Sequence, residues 1–454
     1  MPPLTPLRQY FQSGATRPVG FRMAQLKKLK QAILSHEQEI YQALRSDLNK
    51  SPEEAWVTEI GLVIKEINNA IRHLPHWVKP ERVGTDIVNL PSSSFVVRDP
   101  LGTVLVIGPW NFPFMLTILP VIGAMAGGNT IVVKPSEFAP ATSALISKII
   151  QAIFPPEYML CVEGEGAVVV PELMKDFRFD HLFYTGSTAV GKIIYKMAAD
   201  QLIPVTLELG GKGPCVVEAD ANIRVAARRI AVTKFSNGGQ MCVSPDYVLV
   251  HESVREQFIA EFKKATVQFF GEDPKNNNDY VRIINHRQFD RLTKYLAEGH
   301  ILMGGEHDRE RLYIDPTLMD QVSPDAMVMK EEIFGPILPL FSFTDAKEAR
   351  QLIQQNPDPL CFYIFSNNSK TIKEWQEAVP AGTSCINNAS WQFTNHHLPF
   401  GGRGASGIGK YHGHFSFETF THPRSVLKTP VWFDPDIKYP PMKGKLGLFR
   451  KVIR

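Results

Sequence analysis

A cysteine and a glutamate, each beside paired glycines, are the residues of this chain best suited to carry out chemistry. Cys242 follows Gly238-Gly239-Gln240-Met241, and Glu208 lies earlier in the chain, before Leu209-Gly210-Gly211. A thiol becomes a strong nucleophile where its surroundings favour the thiolate, and glycines let backbone N–H groups approach a substrate closely. Most cysteines are simply small buried hydrophobic residues. The accompanying carboxylate and glycines nevertheless favour a thiol nucleophile that works with a base.

Composition limits the class of protein that can hold these residues. The 454 residues are 44% hydrophobic, which is enough for large cores in two or three lobes. The 49 basic and 46 acidic residues are spread along the chain, so no nucleic acid partner is expected. The five cysteines are an odd number without a CxxC pair, which argues against disulfides and structural zinc. Because no secretory signal is visible, we expect a cytoplasmic protein.

Short β-branched runs separated by helical segments predict an α/β fold. Residues 20–80 carry helical apolar spacing and predict an N-terminal helical layer. Strands are then expected over residues 103–107, 130–133, 159–162, 181–184 and 204–207. Alternation of this kind is typical of a parallel, doubly wound sheet. A second α/β lobe that carries Cys242 is expected from about residue 214, with strands at 247–250, 337–341 and 360–365 and a helix at 254–270.

One apolar stretch needs a separate interpretation. No charged residue occurs between Asp99 and Lys134, a span long enough to cross a bilayer. Prolines and asparagines interrupt it, and a lipid-exposed helix tolerates such breaks poorly. We therefore predict a buried strand, loop, helix and strand.

Residues Gly186–Ile193 nearly match the GxxxxGK[ST] pattern of a P-loop. The final Ser or Thr, which holds magnesium, is replaced by Ile193, so nucleotide hydrolysis is not expected. Glycines and unpaired N–H groups at a helix start still attract phosphate oxygens. A dinucleotide pyrophosphate is therefore predicted here, in a variant of the Rossmann mode because GxGxxG is absent.

Two segments outside the predicted sheets point to surfaces. Residues 86–98 read as a β-hairpin with a Pro/Ser turn, and such an arm needs another surface to cover it, so a subunit contact is expected. Residues 443–454 combine five basic with five large apolar residues. This composition permits weak attachment to an anionic membrane surface, and a docked or frayed terminal helix is the alternative.

Seven short motifs follow one another along the chain: Pro109-Trp110-Asn111-Phe112-Pro113, Lys134-Pro135-Ser136-Glu137, Tyr184-Thr185-Gly186-Ser187, Glu208-Leu209-Gly210-Gly211-Lys212, Gly239-Gln240-Met241-Cys242, Glu331-Glu332-Ile333-Phe334-Gly335-Pro336 and Leu398-Pro399-Phe400-Gly401-Gly402. Each is a modest signal, but their order and spacing together are highly specific. Through them the chain resembles, nearly end to end, the NAD(P)-dependent aldehyde dehydrogenases. The resemblance is greatest to the shorter class 3 branch, which includes fatty aldehyde dehydrogenases.

The resemblance implies a catalytic role for three residues. Cys242 would attack the aldehyde carbonyl as a thiolate, while the side-chain amide of Asn111 and the backbone N–H of Cys242 donate to the oxyanion. Hydride transfer to the nicotinamide would leave a thioester on Cys242. Glu208 would then act as the base for the hydrolytic water. We expect partial burial to raise the pKa of Glu208 toward neutrality.

The resemblance also implies the cofactor site. It assigns Lys134 and Glu137 to the adenosine ribose, Gly186 and Ser187 to the pyrophosphate, Glu332 and Phe334 to the nicotinamide ribose, and Thr185, Leu209 and Gly210 to the same site. A carboxylate such as Glu137 prefers ribose hydroxyls to a 2′-phosphate, so NAD is the expected cofactor. NADP stays open, because Lys134 could accept the phosphate and class 3 members often use both.

For the fold, the resemblance implies an α/β aldehyde dehydrogenase-like architecture that forms a homodimer. Its parts are a Rossmann-like NAD(P)-binding domain with the helical layer (1–82 and 100–208), an α/β catalytic domain (209–393), a small β oligomerisation arm with bridging segments (83–99 and 394–430) and a C-terminal tail (431–454). The tail makes peripheral membrane contact a possible addition to the cytoplasmic location.

Two departures from the family pattern bear on the substrate. Met241 stands where relatives often have a small residue, and Tyr184 stands where many have phenylalanine. Together with the class 3 branch and the aromatic segment 391–393, Met241 favours an apolar aldehyde. Candidates are medium- or long-chain aliphatic, aromatic or polyene aldehydes such as an apocarotenal or retinal.

Other interpretations of the same residues remain. A Cys242 thioester could instead be loaded from an ester, which would make the protein a cofactor-independent thiol esterase or acyltransferase. A noncatalytic scaffold is a third possibility, although it would have little need for Asn111, Glu208, Cys242 and Glu332 together. The four histidines at 396, 397, 412 and 414 lack a cysteine or carboxylate at ligand spacing, so no metal is expected.

Overall fold

The computed structural model describes residues 2–453. The helices are α1 (Thr5–Gln12), α2 (Val19–Ser35), α3 (Glu37–Leu48), α4 (Pro52–Ala55), α5 (Gly61–Trp77), α6 (Met115–Gly127), α7 (Pro140–Ile153), α8 (Gly166–Lys175), α9 (Thr188–Asp200), α10 (Ile223–Phe235), α11 (Arg255–Phe270), α12 (His286–Tyr295), α13 (Met327–Lys330), α14 (Ala346–Gln354), α15 (Ser369–Ala378), α16 (His414–Thr419) and α17 (Leu446–Val452). The strands are β1 (Glu81–Val83), β2 (Ser93–Pro100), β3 (Thr103–Ile107), β4 (Thr130–Lys134), β5 (Met159–Cys161), β6 (His181–Thr185), β7 (Val205–Glu208), β8 (Pro214–Val217), β9 (Tyr247–His251), β10 (His300–Met303), β11 (His307–Asp308), β12 (Tyr313–Ile314), β13 (Thr317–Asp320), β14 (Ile337–Phe343), β15 (Cys361–Phe365), β16 (Thr383–Ile386), β17 (Gly407–Ile408) and β18 (Thr421–Lys428).

A six-stranded sheet in the order β17-β7-β6-β3-β4-β5 holds the first predicted lobe. Its strands run parallel except β17, which pairs antiparallel with the edge strand β7. Successive side chains of a strand point to opposite faces, and here both faces are buried. Val104 and Val106 of β3 enter one core, whereas Leu105 and Ile107 enter the other. This arrangement confirms the predicted doubly wound α/β sheet and adds an antiparallel edge that periodicity did not reveal.

A seven-stranded sheet in the order β10-β13-β14-β9-β8-β15-β16 forms the second lobe. Only β10 runs antiparallel to its neighbour. Helix α11, expected over 254–270, spans Arg255–Phe270, and its Phe258 and Phe262 are fully buried. The two lobes agree with the strands expected from the sequence, while the exact domain boundaries remain a prediction.

The apolar stretch after Asp99 folds as predicted, with β3, a loop, helix α6 and β4 in sequence. Every residue of α6 is buried. The helical layer packs over it, since Leu26, Ile67 and Val121 share one core. Within residues 2–453, no helix is both long and apolar enough to cross a membrane.

The predicted hairpin over residues 86–98 is wrong in its first strand. The pairing strands are β1 (Glu81–Val83) and β2 (Ser93–Pro100), with Val83 opposite Ser94. Between them, Ile87–Asn89 form a 3₁₀ turn, and Pro91, which has no N–H to donate, follows it. Strand β18 pairs with the other edge of β2 over eight residues and completes a three-stranded arm. The first strand therefore lies before residue 86, where the predicted hairpin began.

The C-terminal segment extends beyond β18. Helix α17 spans Leu446–Val452, and its Leu446 and Leu448 side chains are exposed, so these residues do not dock on the core. Upstream, Val431 and Trp432 are 96% and 77% exposed. The tail therefore presents apolar side chains to solvent next to its lysines and arginines.

Candidate active site

Several of the predicted functional residues lie at the carboxyl edge of the six-stranded sheet. Register places Lys134, the last residue of β4, opposite Ile107 of β3, and places Thr185 of β6 opposite Glu208 of β7. The loop that carries Asn111 leaves β3 at this same edge. Parallel strands end on one side of their sheet, so residues far apart in sequence become neighbours. Ligands of open α/β sheets bind in the crevice beyond this edge.

Glu208 is a buried carboxylate without a hydrogen-bond partner. It is 3% exposed, and neither of its carboxylate oxygens has a partner among the described residues. Burial alone raises its pKa well above the ordinary value of 4.5. Desolvation disfavours the charged form, so this carboxyl group can exchange a proton at a higher pH than a surface glutamate. The shift has the direction expected from the sequence.

Cys242 follows a tightly constrained loop. Asn237, Gly238 and Gly239 all have positive φ (53°, 60° and 72°), which turns the chain sharply after α10. A Cβ on residue 239 would lie 2.2 Å from the carbonyl oxygen of Gly335, so glycine is required for this close approach. The Cys242 side chain is half-buried and packs against the main apolar core.

The surroundings of Cys242 favour the thiol over the thiolate. Burial raises the pKa of Cys242 far above its ordinary range, and the carboxylates of Glu332 and Glu208 add to the rise. Neither carboxylate stabilises a thiolate. The thiolate therefore forms when a base takes the proton of the Cys242 thiol. Glu208 is close enough for its charge to influence the pKa of that thiol.

Asn111 is held at both its side chain and its main chain. Its Nδ2 donates to the carbonyl oxygen of Gln240 at 3.0 Å, and its own carbonyl accepts from Nδ2 of Asn237 at 2.9 Å. A primary amide has two N–H bonds, so one remains free for an oxyanion. Asn111 is 3% exposed, which keeps this donor in a poorly solvated site.

Lys134 and Glu137 form an ion pair at the end of β4. The other oxygen of Glu137 accepts from the backbone N–H of Gly166 at 2.8 Å, at the start of α8. Lys134 is 1% exposed, whereas Glu137 is half-buried and open to a ligand. The pair thus presents both a hydroxyl-binding carboxylate and a cation.

The Thr185-Gly186-Ser187 turn joins β6 to α9 and has the features of a pyrophosphate site. Ser187 caps α9 by accepting from the N–H of Val190, and Oγ1 of Thr185 is buried without a partner in the described chain. Leu209 packs against this helix, 2.7 Å from where a Cβ on Gly191 would be. The Thr185 hydroxyl and the N–H groups at the start of α9 can donate hydrogen bonds to phosphate oxygens. The residues present therefore fit a dinucleotide.

Glu332 and Phe334 face the same crevice from the second lobe. The Glu332 carboxylate accepts from the N–H of Gly211, and burial, with Asp246 next, raises its pKa to about 8. A Cβ on Gly210 would lie 1.9 Å from Glu332 Oε2. Phe334 contacts Trp110 edge to face, with ring centroids 5.2 Å apart. These contacts join the motifs of the two lobes, while a single cofactor and substrate site for all twelve residues remains a prediction.

A cavity of about 30 Å³ borders the apolar core that Cys242 contacts. Apolar and polar side chains line it together: Leu62, Lys65, Glu66, Met115, Leu119, Phe393, Thr394, His396 and His412. Met115, Leu119 and Phe393 belong to the same apolar cluster as Cys242. A cavity of this size holds roughly one water molecule, so a longer ligand requires movement of the lining side chains. His396 and His412, two of the four histidines noted in the sequence, line this cavity.

Several supporting residues were not singled out from the sequence. Asn237 and Gln240 hold the loop before Cys242, and the hydroxyl of Tyr363 donates to the carbonyl of Val243 at 2.6 Å. Lys50 and Glu59 form a fully buried ion pair. The position of Asn237 and Gln240 beside the nucleophile was a usable signal. Tyr363, Lys50 and Glu59 lie in unremarkable local sequence, so no such signal existed for them.

Comparisons with known proteins define the class. Residues 8–426 match the aldehyde dehydrogenase family. The chain is 42% identical over 449 residues to 4,4'-diaponeurosporen-aldehyde dehydrogenase of Staphylococcus aureus (strain NCTC 8325 / PS 47), with 98% of this chain and 97% of the relative covered. It is 43% identical over 441 residues to the dimeric, NADP-preferring aldehyde dehydrogenase of Canis lupus familiaris, with 97% of each covered. A solved structure of the substrate-bound state of Staphylococcus aureus AldH has a TM-score of 0.97 at 41% identity, covering 99% of this chain and 98% of that chain.

The chain belongs to the aldehyde dehydrogenase family and has its fold, which confirms the family predicted from the motifs. It is an oxidoreductase of the NAD(P)-dependent aldehyde dehydrogenase class.

Proposed function

We propose that the protein oxidises an apolar aldehyde to its carboxylic acid through covalent catalysis by Cys242, with NAD as the preferred cofactor. The observation that carries the proposal is the meeting of a half-buried thiol, an unpartnered buried carboxylate and an amide donor at one sheet edge. Cys242, Glu208 and Asn111 supply the three functions that acyl transfer needs: a nucleophile, a base and an oxyanion donor.

In the first half of the reaction, Glu208 takes the proton of Cys242 and passes it to solvent, and the sulfur attacks the aldehyde carbon. The carbonyl oxygen becomes an oxyanion, which the free N–H of Asn111 and the backbone N–H of Cys242 stabilise. Such donors act most strongly where water is excluded, and both loops are buried. When bound, the nicotinamide supplies the hydride acceptor. Loss of hydride from the hemithioacetal carbon leaves a thioester on Cys242.

In the second half, water hydrolyses that thioester. Glu208 takes a proton from the water as it attacks the acyl carbon, and the Cys242 sulfur leaves. A carboxylate with a raised pKa is a stronger base than a surface glutamate, and burial provides that rise. Because neither Glu208 oxygen has a hydrogen-bond partner among residues 2–453, both can accept from the water.

Lys134, Glu137, Thr185, Gly186, Ser187, Leu209, Gly210, Glu332 and Phe334 are the residues proposed to hold the cofactor. The Glu137 carboxylate can accept from two ribose hydroxyls and repels a 2′-phosphate, which favours NAD. Lys134, in contrast, offers a cation to that phosphate, and the relative from dog is named as NADP-preferring. The Lys134–Glu137 pair neutralises part of each charge, so discrimination between the two cofactors is expected to be modest.

The apolar part of the lining of the 30 Å³ cavity supports the choice of substrate. Leu62, Met115, Leu119 and Phe393 line it, and Met241 lies in the adjoining core. Burial of methylene groups against such side chains gives about 0.8 kcal/mol each. The relative from Staphylococcus aureus is named a 4,4'-diaponeurosporen-aldehyde dehydrogenase. We therefore propose medium- or long-chain aliphatic, aromatic or polyene aldehydes as substrates.

The decisive experiment is nicotinamide reduction across an aldehyde series from propanal to decanal and retinal, with NAD and NADP in parallel. Wild-type protein should show kcat/KM rising with chain length, and Cys242→Ala should show no turnover. If short polar aldehydes react far better than decanal, the apolar assignment is wrong. If ester cleavage occurs without any aldehyde oxidation, the thiol esterase alternative replaces the redox chemistry.

We also propose that two copies of the chain form a homodimer through the β1-β2-β18 arm. Apolar side chains of this arm and its turn are exposed, including Ile87 at 71%, Leu90 at 56% and Leu427 at 51%. A three-stranded arm with exposed apolar residues is best covered by another surface. Light scattering should give twice the chain mass for the wild type, and Leu427→Lys with Ile87→Lys should shift it toward one.

The exposed tail supports a further proposal of weak contact with anionic membrane surfaces. Trp432, Leu446 and Leu448 supply apolar side chains, and Lys443, Lys445 and Arg450 supply charge. Flotation with vesicles of anionic lipid should recover the full chain but not a chain that ends at residue 442. If the vesicles recover both chains equally, or recover neither, the tail does not bind the membrane surface.

A further inference from the structure

We propose that Asn237 is a positioning residue that holds the oxyanion donor Asn111 in its working geometry. This inference rests on the proposed function, because Asn237 acts only through Asn111. Asn237 lies five residues before Cys242 in the chain and links the loop that precedes the nucleophile to the loop that carries Asn111.

The geometry is a closed triangle of three residues. Nδ2 of Asn237 donates to the carbonyl oxygen of Asn111 at 2.9 Å and to that of Gln240 at 3.0 Å. Nδ2 of Asn111 donates to the same Gln240 carbonyl at 3.0 Å. Asn111 is therefore fixed at its main chain by Asn237 and at its side chain by Gln240. Both neighbours of the Asn237 amide are carbonyl oxygens, so only its nitrogen can face them.

The Asn237 backbone is fixed independently of this triangle. Its N–H donates to Glu54 Oε1 at 3.1 Å, and its φ of 53° and ψ of 27° place it in the left-handed region. The side chain is 1% exposed. A buried residue with a fixed backbone has little freedom, so its amide can transmit a precise position to Asn111.

A purely structural role explains this asparagine poorly. Its Oδ1 is buried without a hydrogen-bond partner in the described chain. Glycine adopts the left-handed backbone of this position as readily as asparagine, so the backbone alone does not require an amide here. What the amide does provide is control over Asn111, whose second N–H must point at the oxyanion.

Two variants remove the interaction in different ways. Asn237→Gly deletes the amide and is compatible with the left-handed backbone, whereas alanine would add strain there. Asn237→Asp keeps the size but places an acceptor against two carbonyl oxygens. Active-site titration of Cys242 corrects each preparation for the folded fraction. We expect the first turnover of nicotinamide reduction to slow by roughly 10- to 100-fold in both variants. KM for aldehyde and for NAD should change less than about 3-fold, because Asn237 contacts neither ligand site.

The sharpest test is a double-mutant cycle with Asn111→Ala, which itself should slow the reaction by about 100-fold or more. If Asn237 acts through Asn111, Asn237→Gly should cost less than about 2-fold in the Asn111→Ala background. The rate of Cys242 alkylation by iodoacetamide should stay within about 3-fold of wild type, since alkylation forms no oxyanion. An equal loss in both backgrounds, or a parallel loss of alkylation, would overturn the proposal.

Asn129 provides a matched control. It is fully buried, and its Nδ2 also donates to two backbone carbonyls, those of Ala124 and Phe420. Asn129→Asp should lower stability yet leave the rate per titrated Cys242 within about 2-fold of wild type. If Asn129→Asp loses as much rate as Asn237→Asp, the effect of Asn237→Asp is due to general destabilisation of the fold. Failure of the wild type to oxidise any aldehyde would instead reject the proposed function, and the two failures are thus distinguishable.

Discussion

The carboxylate of Glu332 occupies the space where a side chain on residue 210 would begin: a Cβ on Gly210 would lie 1.9 Å from Oε2 and 2.3 Å from both Cδ and Oε1. Gly210 lies in the connection between β7 and β8, Glu332 follows α13, and each belongs to a motif recognised in the sequence. Their contact places the Glu332 carboxylate directly above the turn that follows Glu208. Gly210 is therefore required by a neighbour and not by its own backbone, since its φ is not in the left-handed region.

Gly210→Ala should displace Glu332 and weaken cofactor binding. We expect KM for NAD to rise about 10-fold, equivalent to about 1.4 kcal/mol, because the carboxylate can no longer reach its site. Steady-state kinetics with saturating aldehyde measures the change. Gly20→Ala serves as the control, because a Cβ there meets nothing within 4 Å. An unchanged KM in Gly210→Ala would mean that Glu332 does not hold the cofactor.

Glu208→Gln should separate the two halves of the reaction. Glutamine cannot accept the proton of the attacking water, so the thioester should accumulate after one rapid turnover and kcat should fall by about 10²–10⁴-fold. In the wild type, the base must be ionised, so the deacylation rate should rise with pH through the raised pKa of Glu208 and level off above it. Stopped-flow reduction across pH, with acyl-enzyme detected by mass spectrometry, measures both. If the deacylation rate of Glu208→Gln still rises with pH over the same range, a group other than Glu208 causes that rise.

The same substitution should stabilise the protein. The pKa of Glu208 is raised in the folded state, so the folded chain holds that proton more tightly than the unfolded chain. Stability from this group is present at low pH and is lost as pH rises through the folded pKa. At pH 8 the buried charge costs free energy that glutamine avoids, by about 1 kcal/mol or more. Urea denaturation should show Glu208→Gln more stable than wild type at pH 8 and less different at pH 5. The opposite order would mean that the carboxylate has a partner in solution.

Glu137→Gln should shift cofactor preference toward NADP. The carboxylate repels a 2′-phosphate, and its removal also frees the Lys134 cation for that phosphate. We expect the ratio of kcat/KM for NADP to that for NAD to rise by about 10-fold. Lys134→Met is the reciprocal variant and should lower the same ratio. Parallel changes for both cofactors would place the pair away from the ribose.

Lys50→Met should destabilise the protein severely. Lys50 and Glu59 are both 0% exposed, and their ion pair is 2.7 Å long. Removal of the cation leaves Glu59 buried and uncompensated, which costs about 3–5 kcal/mol. Burial already raises the pKa of Glu59, so protonation can relieve the penalty, and the deficit should shrink as pH falls from 8 to 5. Urea denaturation at both pH values tests this. Adding Glu59→Gln should restore part of the stability at pH 8. No recovery would mean that the loss comes from the contact of the Lys50 ammonium with the Phe112 ring, whose centroid is 4.1 Å away.

The contact of Glu59 with the N–H of Met115, at 2.8 Å, shows why this pair bears on the site. Met115 begins α6, directly after the loop of Asn111. The charge pair thus anchors the end of that loop inside the core, whereas the sequence around Lys50 and Glu59 gives no sign of it. Their partners lie on other segments, and side-chain pairing across segments has no local pattern.

The sequence by itself determined the α/β class, most strand positions and the chemical residues. β-branched runs such as Thr103–Ile107 are buried on both faces of a parallel sheet, and that burial imposes a pattern within a few neighbouring residues. Cys242, Glu208 and Asn111 stand in motifs whose glycines and prolines are required by local turns. Local physics of this kind is readable along one chain.

Only the tertiary structure decided the remaining features. The first strand of the arm lies at Glu81–Val83 because pairing with Ser93–Pro100 is a contact between segments, and a period of two fixes faces but not partners. Two further features join residues far apart in sequence: the Gly210–Glu332 contact, and the hydrogen bonds of Asn111 with Asn237 and Gln240. The burial of the Glu208 carboxylate likewise depends on distant segments. These contacts depend on how segments from both sheets pack together. The spacing of residues along the chain does not determine that packing.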